Sequence, residues 1–171
     1  MAVLKVLTYP DPFLKKNAQE VTVFNQELKE LAADMADTMY DQSGLGLAAP
    51  QVGQGLRLFV ADLTYRPNDP EHPRNWIAYV NPMIKKGEGE QFLEEGCLSV
   101  PEYRAEIKRF QNITIEYNDL EGNLKKVTAE GLFAVCIQHE MDHLAGKLFI
   151  DYLPPLKRKM IQKRLKKLAE E

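Results

Sequence analysis

Apolar residues at Leu28, Leu31, Met35 and Met39 recur at three- and four-residue intervals. That period places side chains on one helix face. Asn25 precedes them, and a short polar side chain of this kind caps a helix N-terminus, so a helix is expected over about residues 25–41. Strand-like apolar runs follow at 56–61, 77–81, 113–117 and 124–127. Residues 118–123 are rich in turn formers and predict a hairpin between the last two runs. The stretch 62–75 carries Pro67, Pro70 and Pro73 and reads as a surface loop, with His72 exposed within it. A second helix is expected over about 129–144, led by Leu132, Phe133, Val135, Cys136 and Ile137, with Gly146 just beyond its end. Pro154 and Pro155 open a third, over about 155–171, where Leu156, Met160, Ile161, Leu165 and Leu168 recur at helical spacing. The pattern predicts a mixed α+β fold in a compact single domain.

At 171 residues, 44% of them hydrophobic and 27% charged, the chain fits one domain over 1–171. No apolar run approaches a membrane span, and the N-terminus lacks a charged-then-apolar signal pattern, so a cytoplasmic protein without a membrane partner is expected. Charge is uneven. Residues 156–171 carry seven basic and two acidic side chains, a net +5, while the rest carries 15 basic and 23 acidic, a net −8. The basic tail reads either as a docked terminal helix with a solvated outer face or as a surface for RNA phosphates.

Candidate chemistry concentrates at His139-Glu140-Met141-Asp142-His143, which holds two of the three histidines. Residues four apart share a helix face, so the two imidazoles can grip one cation while Glu140 reaches a water beside it. A hydrolytic site of this type needs a third ligand. The template H-E-x-x-H-x-x-G-x-x-H holds as far as Gly146 and fails at Phe149, which cannot ligate. Cys136 reads as a small buried hydrophobe. Cys97 lies between Gly96 and Pro101, where a bend at a strand edge can aim a thiolate. One cysteine specifies little, so the residues alone leave the third ligand open.

Gly44-Leu45-Gly46-Leu47-Ala48-Ala49-Pro50-Gln51 superficially matches the dinucleotide fingerprint G-x-G-x-x-A. That fingerprint needs a strand before it and a helix opening at it. Here a helix precedes, and Pro50 disfavours helical geometry at Ala49. The glycines read better as places where backbone approaches a ligand closely, with the Gln51 amide beside them.

Together these stretches resemble the peptide deformylases, whose motifs G-x-G-x-A-A-x-Q, E-G-C-L-S and Q-H-E-x-D-H appear in that order. They stand here at 44–51, 95–99 and 138–143, with no departure at the fixed positions. The resemblance implies antiparallel or mixed β-sheets packed around a central metal-binding helix, and a metal-dependent hydrolase that removes the formyl group from the N-terminal formyl-methionine of nascent polypeptides and releases formate. It implies Cys97, His139 and His143 as metal ligands, Glu140 as general base and acid, and Gln51 with the Leu98 N–H as oxyanion donors. Backbone at Leu45, Gly46 and Gly96 would contact an extended peptide. The implied cofactor is Fe2+, with Ni2+, Co2+ or Zn2+ as substitutes; ligand types alone do not choose among them. Arg104 falls where the family often has an arginine near the peptide, or is simply solvated. Glu95 and Arg109 are expected to pair and brace the Cys97 loop.

Leu132, Val135 and Cys136 are candidates to line an apolar pocket for the methionine side chain, with ordinary core packing as the alternative. The family's C-terminal helix implies ribosome docking through residues 155–171, and the chain is expected to act as a monomer. The rivals are a metallopeptidase of the H-E-x-x-H type, which the Cys97 and Gly44–Gln51 stretches oppose, and a metal-containing RNA-binding module.

Overall fold

The computed structural model describes residues 2–64, 69 and 71–170. Pro67 and Pro70 of the expected loop, and Glu171 of the expected tail, lie outside them. Helix α1 (Gln26–Asp41) is followed by β1 (Gly46–Ala48), β2 (Leu58–Ala61), β3 (Ile77–Glu88), β4 (Gln91–Cys97), β5 (Val100–Arg109), β6 (Asn112–Asn118) and β7 (Leu124–Glu130). Helices α2 (Gly131–Leu144) and α3 (Pro155–Ala169) close the chain. Five strands form a sheet in the order β1-β2-β3-β6-β7, and β4 pairs with β5 alone. Every paired strand in these two sheets is antiparallel.

The two-residue period of a strand lets the large sheet serve two helices. Leu58 and Val60 of β2 pack with Leu28, Ala32, Met35 and Met39 of α1. Phe59 and Ala61 point the other way, into a cluster with Tyr79, Ile113, Ile115 and the α2 residues Ala134 and Ile137. All four β2 residues are therefore buried, which gave them their continuous apolar run. Each side chain as deeply buried as Met35 or Met39 contributes about 1.5–3 kcal/mol relative to exposure. Asn25 caps α1 as expected, its side chain accepting from the Leu28 N–H at 3.0 Å.

Several boundaries differ from the sequence reading. β7 runs to Glu130, so α2 begins at Gly131 and not near residue 129; Gly131 makes the corner at φ 61°, where a side chain would be strained. β3 continues past Asn81 and Pro82 to Glu88 because the register shifts between Val80 and Met83. That bulge keeps the proline out of the ladder, and the Asn81 side chain ties off both polar groups of the Val21 backbone. The β4–β5 hairpin was not visible as a pair of strands, although a bend at Cys97 was. His72 is half-buried in a turn and not fully exposed. A third core joins the hairpin to the C-terminus: Val100, Ala105 and Ile107 pack with Phe149, Ile150, Ile161 and Leu165. α3 thus docks through Ile161 and Leu165, while Leu156 and Met160 of the expected apolar stripe face outward, 76% and 66% exposed.

Candidate metal centre and peptide pocket

α2 carries His139 and His143 one turn apart, and the hairpin brings Cys97 to them from the end of β4. His143 Nε2 lies 3.2 Å from His139 Nε2 and 3.4 Å from Cys97 Sγ, and all three ligand atoms fall within 4.8 Å of one another. Ligands held ~2.0–2.3 Å from a tetrahedral ion stand roughly 3.3–3.8 Å apart, so the spacing suits one cation. The His139 tautomer suits it too. His139 Nδ1–H donates to Glu95 Oε1 at 2.9 Å, which leaves the Nε2 lone pair for the centre. The donor set of one sulfur and two imidazole nitrogens fits a divalent transition metal.

Behind the histidines stands a buried ionic brace. Arg109 grips Glu95 with two bonds, Nε to Oε2 at 2.8 Å and Nη2 to Oε1 at 2.9 Å, and reaches Asp142 Oδ2 at 2.6 Å. The expected Glu95–Arg109 pair is therefore present, with Asp142 as an added partner on the histidine helix. Burial opposes charge on Glu95, but the bonds from Arg109 and His139 outweigh it and hold the carboxyl below its ordinary range. Phe149, in the position where the rejected template needs a histidine, lies against the His139 ring with centroids 6.4 Å apart.

Glu140 is different. It is 4% exposed, and its Oε1 has no hydrogen-bond partner among the described residues. Burial pushes its carboxyl up to about 7. Gly46 lies directly against it: a Cβ on that glycine would stand 2.8 Å from Glu140 Oε2, closer than real contacts allow. Glycine at 46 is what lets the carboxylate and the β1 backbone share one wall.

Gln51 enters from the opposite side. Its Oε1 accepts from the Ala48 N–H at 3.0 Å, so the amide NH2 must point inward, toward Ser99 Oγ at 3.1 Å and Cys97 Sγ at 3.6 Å. Ser99 anchors this corner. Its hydroxyl donates to the Leu7 carbonyl at 2.6 Å and its N–H to Cys97 Sγ at 3.4 Å. The sequence reading assigned no role to Ser99 or Asp142, yet both occupy fixed motif positions, and that was the available signal.

These groups open onto a cavity of about 590 Å3. Leu45, Gly46, Gln51, Gly96, Cys97 and Leu98 line one part of it, and Leu132, Val135, Cys136, His139 and Glu140 another. Arg104 borders the mouth, exposed, with Nε 2.7 Å from Glu94 Oε1. Every predicted site residue is thus gathered at the pocket except His143, which lies beneath its floor. Leu132 is 53% exposed and so is not core packing, whereas Cys136 both faces the cavity and joins the α2 core.

Comparison with known proteins leads to the same place. The family model described as polypeptide deformylase matches residues 3–159. The peptide deformylase of Desulfotalea psychrophila is 47% identical over 167 residues, covering 98% of this chain and 97% of its own length. Peptide deformylase 1 of Shewanella oneidensis is 47% identical over 171 residues, covering 100% and 98%. The crystal structure of a peptide deformylase from Legionella pneumophila superposes with a TM-score of 0.89 at 45% identity, covering 99% of this chain and 96% of that one. The peptide deformylase from Ehrlichia chaffeensis in complex with actinonin superposes with a TM-score of 0.91 at 37% identity over 100% of both chains. Nothing in these comparisons favours the metallopeptidase alternative. With its three motifs converging on one pocket and its relatives matched end to end, the chain belongs to the peptide deformylase family.

Proposed function

We propose that this protein hydrolyses the N-formyl group of formyl-methionyl nascent chains, and that Cys97, His139 and His143 hold the metal on which that activity depends. The observation that carries this reading is the meeting of three ligand atoms beside a buried carboxylate, one oxygen of which has no hydrogen-bond partner among the described residues, at a cavity with polar and apolar walls. When bound, a divalent cation supplies a Lewis acid and lowers the pKa of water; ferrous iron is the resident ion, with nickel, cobalt or zinc as functional substitutes. Glu140, kept protonatable near neutrality by burial, takes the proton of the attacking water and returns one to the departing amine. The Gln51 amide and the Leu98 N–H face the formyl oxygen as it gains charge; donors so placed are each worth about 3–4 kcal/mol. Leu132, Val135 and Cys136 receive the methionine side chain. The peptide runs outward along backbone at Leu45, Gly46 and Gly96, with Arg104 beside it.

The enzyme acts as a cytoplasmic monomer, and α3 brings it to ribosomal RNA. Support for that contact is the net charge of +5 over 156–171 and the outward face of α3. No helix among the described residues is long and apolar enough to cross a membrane. Anaerobically prepared protein, given formyl-Met and acetyl-Met peptides, should release formate from the first and leave the second intact. Internal peptide cleavage, or no turnover with the metal bound, overturns the assignment.

A further inference from the structure

Asp62 directly follows β2 and is completely buried, yet among the described residues its contacts are four uncharged donors and no cation. Tyr40 Oη and the Asn75 N–H (2.9 Å) donate to Oδ2; the Thr64 N–H (2.9 Å) and hydroxyl (2.6 Å) donate to Oδ1. Burying a carboxylate is costly unless it is so satisfied, and Asp62 lies outside the metal centre. What it touches gives a reason. Its own N–H donates to the Leu45 carbonyl at 3.0 Å. Tyr40, which its side chain holds, sits in the last turn of α1, and the Tyr40 carbonyl accepts from the Ser43 N–H at 3.0 Å. Gly44 N–H bonds back to Met39 at 2.9 Å. Between these anchors Ser43 takes φ 56°, a left-handed conformation that a non-glycine residue keeps only when its surroundings impose it. Residues 42–46 form one lip of the cavity.

We propose that Asp62 is a positioning residue for the peptide: by tying the end of β2 to the last turn of α1 through Tyr40, it holds the lip at 43–46 in the shape that an extended formyl-peptide pairs with. This rests on the reading of Leu45 and Gly46 as peptide contacts. Asp62 touches no reacting atom, so its effect falls on binding of the residues beyond the first and not on the chemical step.

The test measures formate release by Asp62→Asn and Tyr40→Phe on two substrates, formyl-Met amide and a formylated tetrapeptide. On the tetrapeptide, KM rises about five- to tenfold for Asp62→Asn and about threefold for Tyr40→Phe, with kcat within twofold. On formyl-Met amide both parameters stay within twofold of wild type. The double variant is no worse than Asp62→Asn, because the two groups share one interaction. Amide exchange at residues 43–46 accelerates while that in β6 and β7 does not. A merely structural role would instead lower kcat equally on both substrates through loss of folded enzyme, and that result overturns the proposal, as does an unchanged tetrapeptide KM. Should Asp62→Asn fail to fold, Tyr40→Phe still decides, since it removes one hydroxyl and keeps the ring beneath Arg74. Wild-type enzyme inactive on both substrates would sink the functional reading and this proposal together; active wild type with unaltered variants sinks this proposal alone.

Discussion

On one side of the histidine pair lies Glu95, on the other Glu140. The two carboxylates are equally withdrawn from water, at 5% and 4% exposure. Their surroundings set opposite chemistry. Glu95 is held by Arg109 and His139 and stays ionised below its ordinary range. Glu140 has an oxygen with no partner and is pushed up to about 7. Burial alone therefore does not decide what a buried acid does; the cation and donors beside it do. On the function proposed above, the braced side fixes the direction of the His139 ring, and the unbraced side keeps a proton exchangeable beside the cavity.

The largest effect should come from the reacting side. Glu140→Gln keeps size and removes the exchangeable proton, so turnover should fall about a thousandfold while metal content, read by atomic absorption, stays at the wild-type level. A variant that retains most of its turnover would assign the proton transfer elsewhere.

The bracing side should fail differently. Glu95→Ala leaves the buried Arg109 guanidinium with only Asp142 as a carboxylate partner among the described residues, and frees the His139 ring. Stability should drop by about 3 kcal/mol and metal affinity by about 10- to 100-fold, measured by denaturant unfolding and competitive chelation. If Glu95→Ala unfolds and binds metal like wild type, the brace is ornamental.

How far each side could be read from the chain follows from the same contrast. His139, Glu140 and His143 were legible because one helix presents them at its own period. The brace was legible only through the family pattern, since Glu95 and Arg109 are 14 residues apart and come together only through the hairpin. That hairpin was obscured because β4 alternates Phe92 and Glu94 outward with Leu93 and Glu95 inward, so its buried face carries a charge where apolar patterning looks for a hydrophobe. β3 past Asn81 was lost for a related reason: Asn-Pro reads as a stop, and only the bulge lets the strand go on. Asp62 gave no signal at all, because nothing local distinguishes a buried acid satisfied by Tyr40, Thr64 and Asn75 from a polar loop residue.

The two acids should also tilt stability in opposite directions with pH, an effect of a few kcal/mol at most. Glu140 has a folded pKa of about 7 against an ordinary value of 4.5. Between those values the folded state binds more protons than the unfolded state, so its contribution falls as pH rises. Glu95 has a lowered folded pKa, so its contribution is complete above the ordinary 4.5 and is lost as pH falls through the folded value. For metal-free protein unfolded in urea at pH 4.5, 5.5 and 7, wild type should lose stability relative to Glu140→Gln with each step upward. Parallel curves for the two proteins would mean that Glu140 titrates no differently from an unfolded carboxyl.

The smallest effect isolates what burial adds. Arg104 and Glu94 form a pair on the same hairpin, with Nε and Oε1 2.7 Å apart, as close as the 2.8 Å between Arg109 and Glu95. They stand on the outer face, with side chains 63% and 62% exposed against 5% and 4% for the inner pair. Similar distance with opposite solvation predicts very different worth. Water screens the outer pair, and holding two long side chains together costs entropy, so Arg104→Ala should change unfolding free energy by less than about 1 kcal/mol. Its position at the cavity mouth leaves room for a KM increase of about threefold on a formylated tetrapeptide, shrinking as salt is raised from 50 to 300 mM (about 14 to 6 Å of screening length). A destabilisation matching that of Glu95→Ala would show that distance, and not burial, sets the strength of these pairs, and the contrast between the two faces of the hairpin would be lost.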